Sequence, residues 1–244
     1  DPNNMGTIGS ASGQFPKTTF YMQTGANEPA FSIDPQSHNF GQVIINNSAS
    51  QSFTVYNSGG GVLNISSIEI SGSPFFSVQN PPALPIALGS GQSTTFSVQY
   101  LPSQASAHSG SVNITDDLTR ITHTVSLHGT CVDPTILSLP HTQNFDSVTS
   151  PNLPLGWRKL TTGTGTVTTV STMSFTAPNS VMMNNSNSAL GPFLIAPPIS
   201  SQFPMNTLIV RFMAKGASAF SLTTGVMSDP QEANTFQDVQ SITL

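Results

Sequence analysis

From Phe31 to about Cys131 the chain is a succession of short segments in which every second residue is apolar, each bounded by Gly, Pro, Asn or Ser. They read AFSI, HNFGQVII, QSFTVYN (Phe53, Val55), LNISSIEI, FFSVQ, TTFSVQY (Phe96, Val98, Tyr100), GSVNI (Val112, Ile114) and ITHTVSLHG (Ile121, Val125, Leu127). Side chains of a strand alternate between its two faces, so period two at this spacing predicts half-buried strands stacked as a β-sandwich. Within LNISSIEI the apolar phase moves from odd positions (Leu63, Ile65) to even ones (Ile68, Ile70). An uninterrupted strand would send the second pair to the opposite face, which predicts a β-bulge at Ser66-Ser67. TDDLTR, 115–120, reads as a hairpin turn with Asp116 and Asp117 at turn positions. Tyr100 and His123 share the apolar phase of their strands and are expected at the inner face, His123 as a satisfied structural histidine; His128 is out of phase and expected to be exposed.

CVDPTILSLP, 131–140, is the candidate junction, because Pro134 and Pro140 bracket a short segment and the composition changes after it. The segments beyond it are HTQNFD, GWRKL, GTVTTV, NSVMMN, PFLIAPP, NTLIVRFMA (Leu208, Val210, Phe212), AFSLTTGVM and DVQSITL. Short segments without a helical stripe predict a jelly-roll or similar sandwich. Residues 1–29 carry little periodicity and much Gly, Ser and Asn, as a linker or the end of a preceding domain does. The expected division is therefore 1–29, 30–132 and 133–244. The chain opens on Asp1-Pro2 without a Met or a signal-like apolar region, and FQDVQSITL stops within an alternating pattern. Both features are expected of a piece of a longer mature protein whose second domain is incomplete at its C-terminus.

Composition narrows the function. Only 7% of residues are charged, against about 25% in an average soluble protein, and the polar positions go to Ser, Thr, Asn and Gly. With a formal net charge of -5 and scattered Lys and Arg, there is no basic footprint for nucleic acid or an anionic membrane. The single cysteine, Cys131, rules out an intrachain disulfide framework or a cysteine-cluster metal site. No run reaches the ~20 apolar residues a membrane-spanning helix needs.

The residue triplet Gly59-Gly60-Gly61 raises the question of a phosphate loop, which needs backbone N–H groups at a helix N-terminus and usually a Lys. Here the nearest basic residues in sequence are Lys17 and Arg120, and VLNISSIEI continues as a strand. The glycines are instead expected to supply positive φ between two strands. The G-x-S-x-G signature of a hydrolase is absent, and His38, His108, His123, His128 and His141 show no metal-binding spacing. No carboxylate pair stands out among 11 acids, and the aromatic platforms of a sugar site are scarce, with one Trp and three Tyr. No catalytic or cofactor-binding residue is expected, and the chain is read as not an enzyme. Sequons begin at Asn46, Asn64, Asn113 and Asn184 (the last completed by Ser186) and matter only where the source glycosylates them.

The ordered elements FG.V, F.V.N.G, L.I..I.I.G..F, L..GQS..F.V.Y.P, G.V.I and L.GT, spread over residues 31–131, resemble the Hydin-like (ASH) immunoglobulin domain in its bacterial choice-of-anchor D form. The resemblance implies a sandwich of seven or eight strands acting as a spacer or interaction module. Residues 136–244, through LPHTQNFDS, LPLGW with Trp157, APNSVMM and GVMSDPQEANTFQDVQSITL, resemble the start of a choice-of-anchor J domain, related to cleaved-adhesin and MAM-like jelly rolls. Such modules belong to large secreted bacterial surface proteins, often exported by the type IX route. The relatives commonly hold a structural calcium, and the resemblance implies Asp146 as a ligand; where they often carry an acidic-aromatic pair, this chain has LGPFLIAPPI. Asp146-Ser147-Val148 fits the short O-glycosylation pattern of bacteria with that export route, which makes Ser147 a glycan candidate.

These readings converge on an all-β protein, an Ig-like β-sandwich followed by a truncated jelly-roll sandwich. Its expected role is a non-catalytic structural and adhesion segment at the bacterial outer surface. The expected partners are other domains of the same chain and surface glycans or proteins. The rival roles are accessory or carbohydrate-binding domains of an extracellular hydrolase, or a subunit of an extracellular fibre whose edge strands are completed by a neighbour.

Overall fold

The computed structural model describes residues 28–117, 122–185, 191–216 and 221–243. The linker reading over 1–27, Lys17, the turn residues 118–120 with Arg120, Ile121, Ser186, the start of AFSLTTGVM and Leu244 lie outside the described residues. The chain divides into two compact units between Val132 and Asp133.

In the first unit the described strands are β1 (Phe31–Asp34), β2 (Ser37–Ile44), β3 (Ala49–Asn57), β4 (Leu63–Gly72), β5 (Phe76–Gln79), β6 (Ile86–Leu88), β7 (Ser93–Tyr100), β8 (Ala107–Asp116) and β9 (Thr122–Val132). They form two sheets, ordered β1-β3-β7-β5 and β2-β9-β8-β4-β6, in which β2 runs parallel to β9 and the other pairs are antiparallel. This is an Ig-like β-sandwich. The alternating apolar set is its core: Phe53, Val55, Phe96, Val98 and Tyr100 from one sheet and Leu63, Ile65, Val112, Ile114, Val125 and Leu127 from the other are buried. Each such aliphatic or Phe side chain stabilises by about 1.5–3 kcal/mol relative to exposure. Rings fill the centre, with Phe53 stacked on Phe96 at 5.6 Å and Phe76 on Tyr100 at 4.8 Å.

The bulge lies where the phase shift puts it. Ile65 pairs with Asp116 and Ser67 with Thr115, leaving Ser66 as the extra residue, and its Oγ donates to the Thr115 carbonyl at 3.0 Å. That one-residue slip is why Ile65 and Ile68, three apart, are both buried. Strand β6, absent from the segments read in the sequence, is three residues long, too short to show a period.

Two expectations about this unit are corrected. Asp116 is not a turn residue: it ends β8, is buried, and faces His123. Gly59-Gly60-Gly61 are not among the residues at positive φ, and they do not close a hairpin, since β3 and β4 belong to different sheets. Their role is close approach. A Cβ on Gly59 would collide with the Glu28 carbonyl oxygen and stand 2.6 Å from the Ala30 nitrogen.

The second unit is also all-β among its described residues. Strand β10 (Arg158–Leu160) pairs with β13 (Phe193–Ile195), β11 (Thr166–Val170) with β12 (Ser180–Asn184), and β14 (Ser221–Met227) with β15 (Phe236–Thr243), all antiparallel. An isolated parallel bridge joins Ile136 to Ile199. Two predicted strands do not form: HTQNFD is irregular, and NTLIVRFMA gives a short 3-10 turn, Met205–Thr207, followed by a stretch outside any ladder. Its alternation fixes which faces are apolar, but a strand exists only when a neighbour takes its backbone hydrogen bonds. Ile209 and Val210 are accordingly 78% and 73% exposed.

Candidate functional site

The most concentrated polar site of the first unit lies beneath the glycine turn. Asn57 ends β3, where the apolar alternation places its side chain inward, and it is fully buried. Its Oδ1 accepts the N–H groups of Ala30 and Gly59, each at 3.0 Å. Its Nδ2 donates to the carbonyls of Gly61 at 2.6 Å and Leu88 at 2.9 Å. All four hydrogen-bonding positions of the amide are thus filled, tying together the chain before β1, the turn and β6. The Gly60 N–H goes to the Glu28 carbonyl at 2.9 Å. The N–H groups that a phosphate would need at Gly59 and Gly60 are committed within the fold.

Two histidine pairs follow. His123 Nε2 lies 2.7 Å from Asp116 Oδ2, with the Asp116 side chain wholly buried and His123 partly exposed, and the His123 ring stacks flat on Phe31 at 3.7 Å. His108 is buried between Tyr100, whose Oη shares a 2.7 Å hydrogen bond with Nδ1, and Ser106, whose Oγ lies 2.8 Å from Nε2. Burial of Tyr100, with the nearby Cys131 thiol adding to it, pushes its phenol above the ordinary tyrosine value. A serine, a histidine and a tyrosine in line have the order of a nucleophile relay. Here they join the start of β8 to the end of β7, and the Ser106 carbonyl takes the Cys131 N–H at 2.8 Å. Asp117, next to the buried Asp116, accepts the Asn64 side chain at 2.6 Å and its backbone N–H at 3.1 Å, bonds that hold its carboxyl below the ordinary aspartate value. His128 is exposed, as its phase predicts, and lies 3.4 Å from Ser109 Oγ.

In the second unit the residues of interest meet around the opening loop. Asp146 Oδ1 accepts the backbone N–H of Asn179 at 3.1 Å, while Asn179 Nδ2 donates to the carbonyls of Phe145 at 3.1 Å and Val148 at 2.7 Å. Asn179 is buried, and Ser147 between these anchors is exposed. Trp157 is half-buried, its ring edge-on to Phe145 at 4.9 Å, so it is packed against the loop and is not a free platform. Calcium takes about six to eight oxygen ligands. The oxygens gathered at Asp146 instead face N–H donors, and no group of three or more His, Cys, Asp or Glu suited to a metal occurs among the described residues. The Asp146 carboxylate and the Phe145 and Val148 carbonyls are already engaged by Asn179.

Sequence reasoning passed over Asn57, His108 and Asn179 as sites. Asn57 and Asn179 stand inside the motifs F.V.N.G and APNSVMM, yet nothing local distinguishes a buried, fully bonded asparagine from a turn asparagine. His108 carries no signal, because its buried partner Tyr100 comes from a different strand, β7.

The sheet order and core define an Ig-like module. Residues 29–130, less than half of the chain, match the family of the HYDIN/CFA65/VesB-like, Ig-like domain. Among solved structures, the VesB protease of Vibrio cholerae is 20% identical over 41% of this chain and 31% of its own, with a TM-score of 0.35. The secreted serine protease VesC of Vibrio cholerae is 12% identical over 69% of this chain and 44% of its own, TM-score 0.36. The ASH/PapD-like domain 7 of human CEP192 is 11% identical over 51% of this chain and 99% of its own, TM-score 0.32. The chain thus spans about a third of the VesB structure. No curated protein matches it. The Ig-like assignment rests on the family match and the strand pairing.

Proposed function

We propose that the chain is a non-catalytic structural and adhesion segment of a large secreted bacterial cell-surface protein, with an Ig-like spacer followed by the opening part of a jelly-roll module. The observation that carries this reading is how the Ig-like unit uses its polar side chains. Asn57, the Asp116–His123 pair and the Tyr100–His108–Ser106 line each close a joint between segments of the sandwich, so these polar side chains are engaged in holding the fold. The nearly uncharged surface supports an extracellular place, and the resemblance of residues 136–244 to choice-of-anchor J modules supports the bacterial outer surface and type IX export. Ser147, exposed on its loop, is the glycan position in this reading; an unmodified intact mass for protein from the native source removes it. The partners are neighbouring domains and surface glycans or proteins.

The test pairs two assays on the purified chain. Immobilised on beads, it is expected to bind surface glycans or proteins saturably, and it is expected to give no turnover in peptidase, esterase and glycosidase panels. Turnover that co-purifies with the chain and disappears in His108→Asn or His123→Asn overturns the non-catalytic reading. The second reading, accessory domains of an extracellular hydrolase, is favoured by the scope of the matching family, which takes in VesB, described as a protease. Peptide mapping of the whole polypeptide from its source decides between them, since a catalytic domain in the same polypeptide establishes the second.

A further inference from the structure

The loop that opens the second unit presents three oxygen acceptors to one residue. Phe145 sits at φ 64°, a conformation that a bulky L-residue keeps only when its surroundings over-determine it. Its N–H is taken by Gln143 Oε1 at 2.8 Å, and that of Asp146 by Asn144 Oδ1 at 3.2 Å. The carbonyls of Phe145 and Val148 and the Oδ1 of Asp146 then converge on Asn179, which lies more than thirty residues along the chain, immediately before β12. The direction of the amide follows from chemistry. Turned over, its oxygen would face two carbonyl oxygens at 2.7 and 3.1 Å, lone pair against lone pair.

Backbone carbonyls and a carboxylate turned inward from one loop are oxygens of the kind a calcium ion gathers. Here two separate groups of the buried Asn179 take them, its side-chain amide the carbonyls and its backbone N–H the carboxylate. We propose that Asn179 takes the place of a metal ion as the clasp of the Phe145–Val148 loop, so that the second unit holds this loop without calcium. Asp146 then serves as a hydrogen-bond acceptor for the Asn179 N–H, not as a metal ligand. Trp157, the sole tryptophan, packs on Phe145, so its fluorescence follows the clasped region.

The experiment is a thermal melt of the 244-residue chain read at Trp157, in excess calcium and in EGTA. A bound ion would raise the midpoint in proportion to the logarithm of its concentration; the expected result is one midpoint in both buffers. Asn179→Ala removes the amide that donates to the Phe145 and Val148 carbonyls and is expected to lower the midpoint by about 5–10 °C, with no recovery in calcium. Asp146→Asn keeps an acceptor oxygen and loses only charge, so its midpoint is expected to stay with the wild type. A wild-type midpoint raised by calcium overturns the proposal, as does a marked drop for Asp146→Asn or a wild-type midpoint for Asn179→Ala. If Asn179→Ala fails to fold, the calcium comparison and Asp146→Asn still decide it.

Discussion

Replacing Asn57 by Ala tests whether the glycine turn is held by one buried amide. The substitution removes a fully buried side chain and leaves four backbone groups without partners: the N–H of Ala30 and Gly59 and the carbonyls of Gly61 and Leu88. A buried polar group stripped of its partner costs about 1–3 kcal/mol. The Leu88 bond is buried and the other three are part-buried within reach of water. About 2 kcal/mol for Leu88 and about 1 for each of the others gives roughly 5 kcal/mol in all. That is a large share of the ~5–15 kcal/mol that holds a domain together. Amide exchange at β3 and β7, whose register runs from Ala49–Tyr100 to Tyr56–Ser93, reads the loss directly. At about 1.4 kcal/mol per factor of ten, protection there is expected to fall by three to four powers of ten, or to vanish if the unit unfolds. A fall of less than tenfold would refute the reasoning, because water would then be satisfying those groups as well as the amide does.

Gly129→Ala is expected to destabilise the same unit by about 1–3 kcal/mol through overpacking. Its Cβ would stand 2.8 Å from Tyr100 Cζ, and that ring cannot yield while His108 and Phe76 hold it; a urea midpoint equal to wild type would contradict this. Asp117 gives a pH dependence. Its carboxyl is lowered by the Asn64 bonds, so the stability it contributes is present above the unfolded value of about 3.9 and is lost as pH falls through the lower folded value. Asp117→Asn is expected to flatten that acid limb slightly, the site being exposed; unchanged acid titration curves would dismiss the bond. Finally, Ile209→Thr with Val210→Thr is expected to reduce light scattering and dye binding by the chain, since both apolar side chains are exposed on a stretch outside any ladder. The Trp157 melting midpoint should not move.

The all-β class, the Ig-like sandwich and nearly all of its core were determined by the sequence itself, because period two specifies which side chain faces inward whatever its partner is. The same logic located the bulge at Ser66, where the phase slips, and separated inward Tyr100 from outward His128. It could not say that Asp116 leaves the turn for the interior or that β3 and β4 lie in different sheets. Nor could it say that Gly59 is small because the Glu28–Ala30 backbone presses against it. Those facts depend on which strands become neighbours, a long-range matter. In the second unit the pattern over-called NTLIVRFMA for the same reason, since alternation describes a face and a ladder needs a second strand. The Asn57 and Asn179 sites were decided by tertiary structure alone. Each gathers backbone groups from segments far apart in the chain, and an asparagine cannot show in its local sequence how many of its four hydrogen-bonding positions the fold will fill.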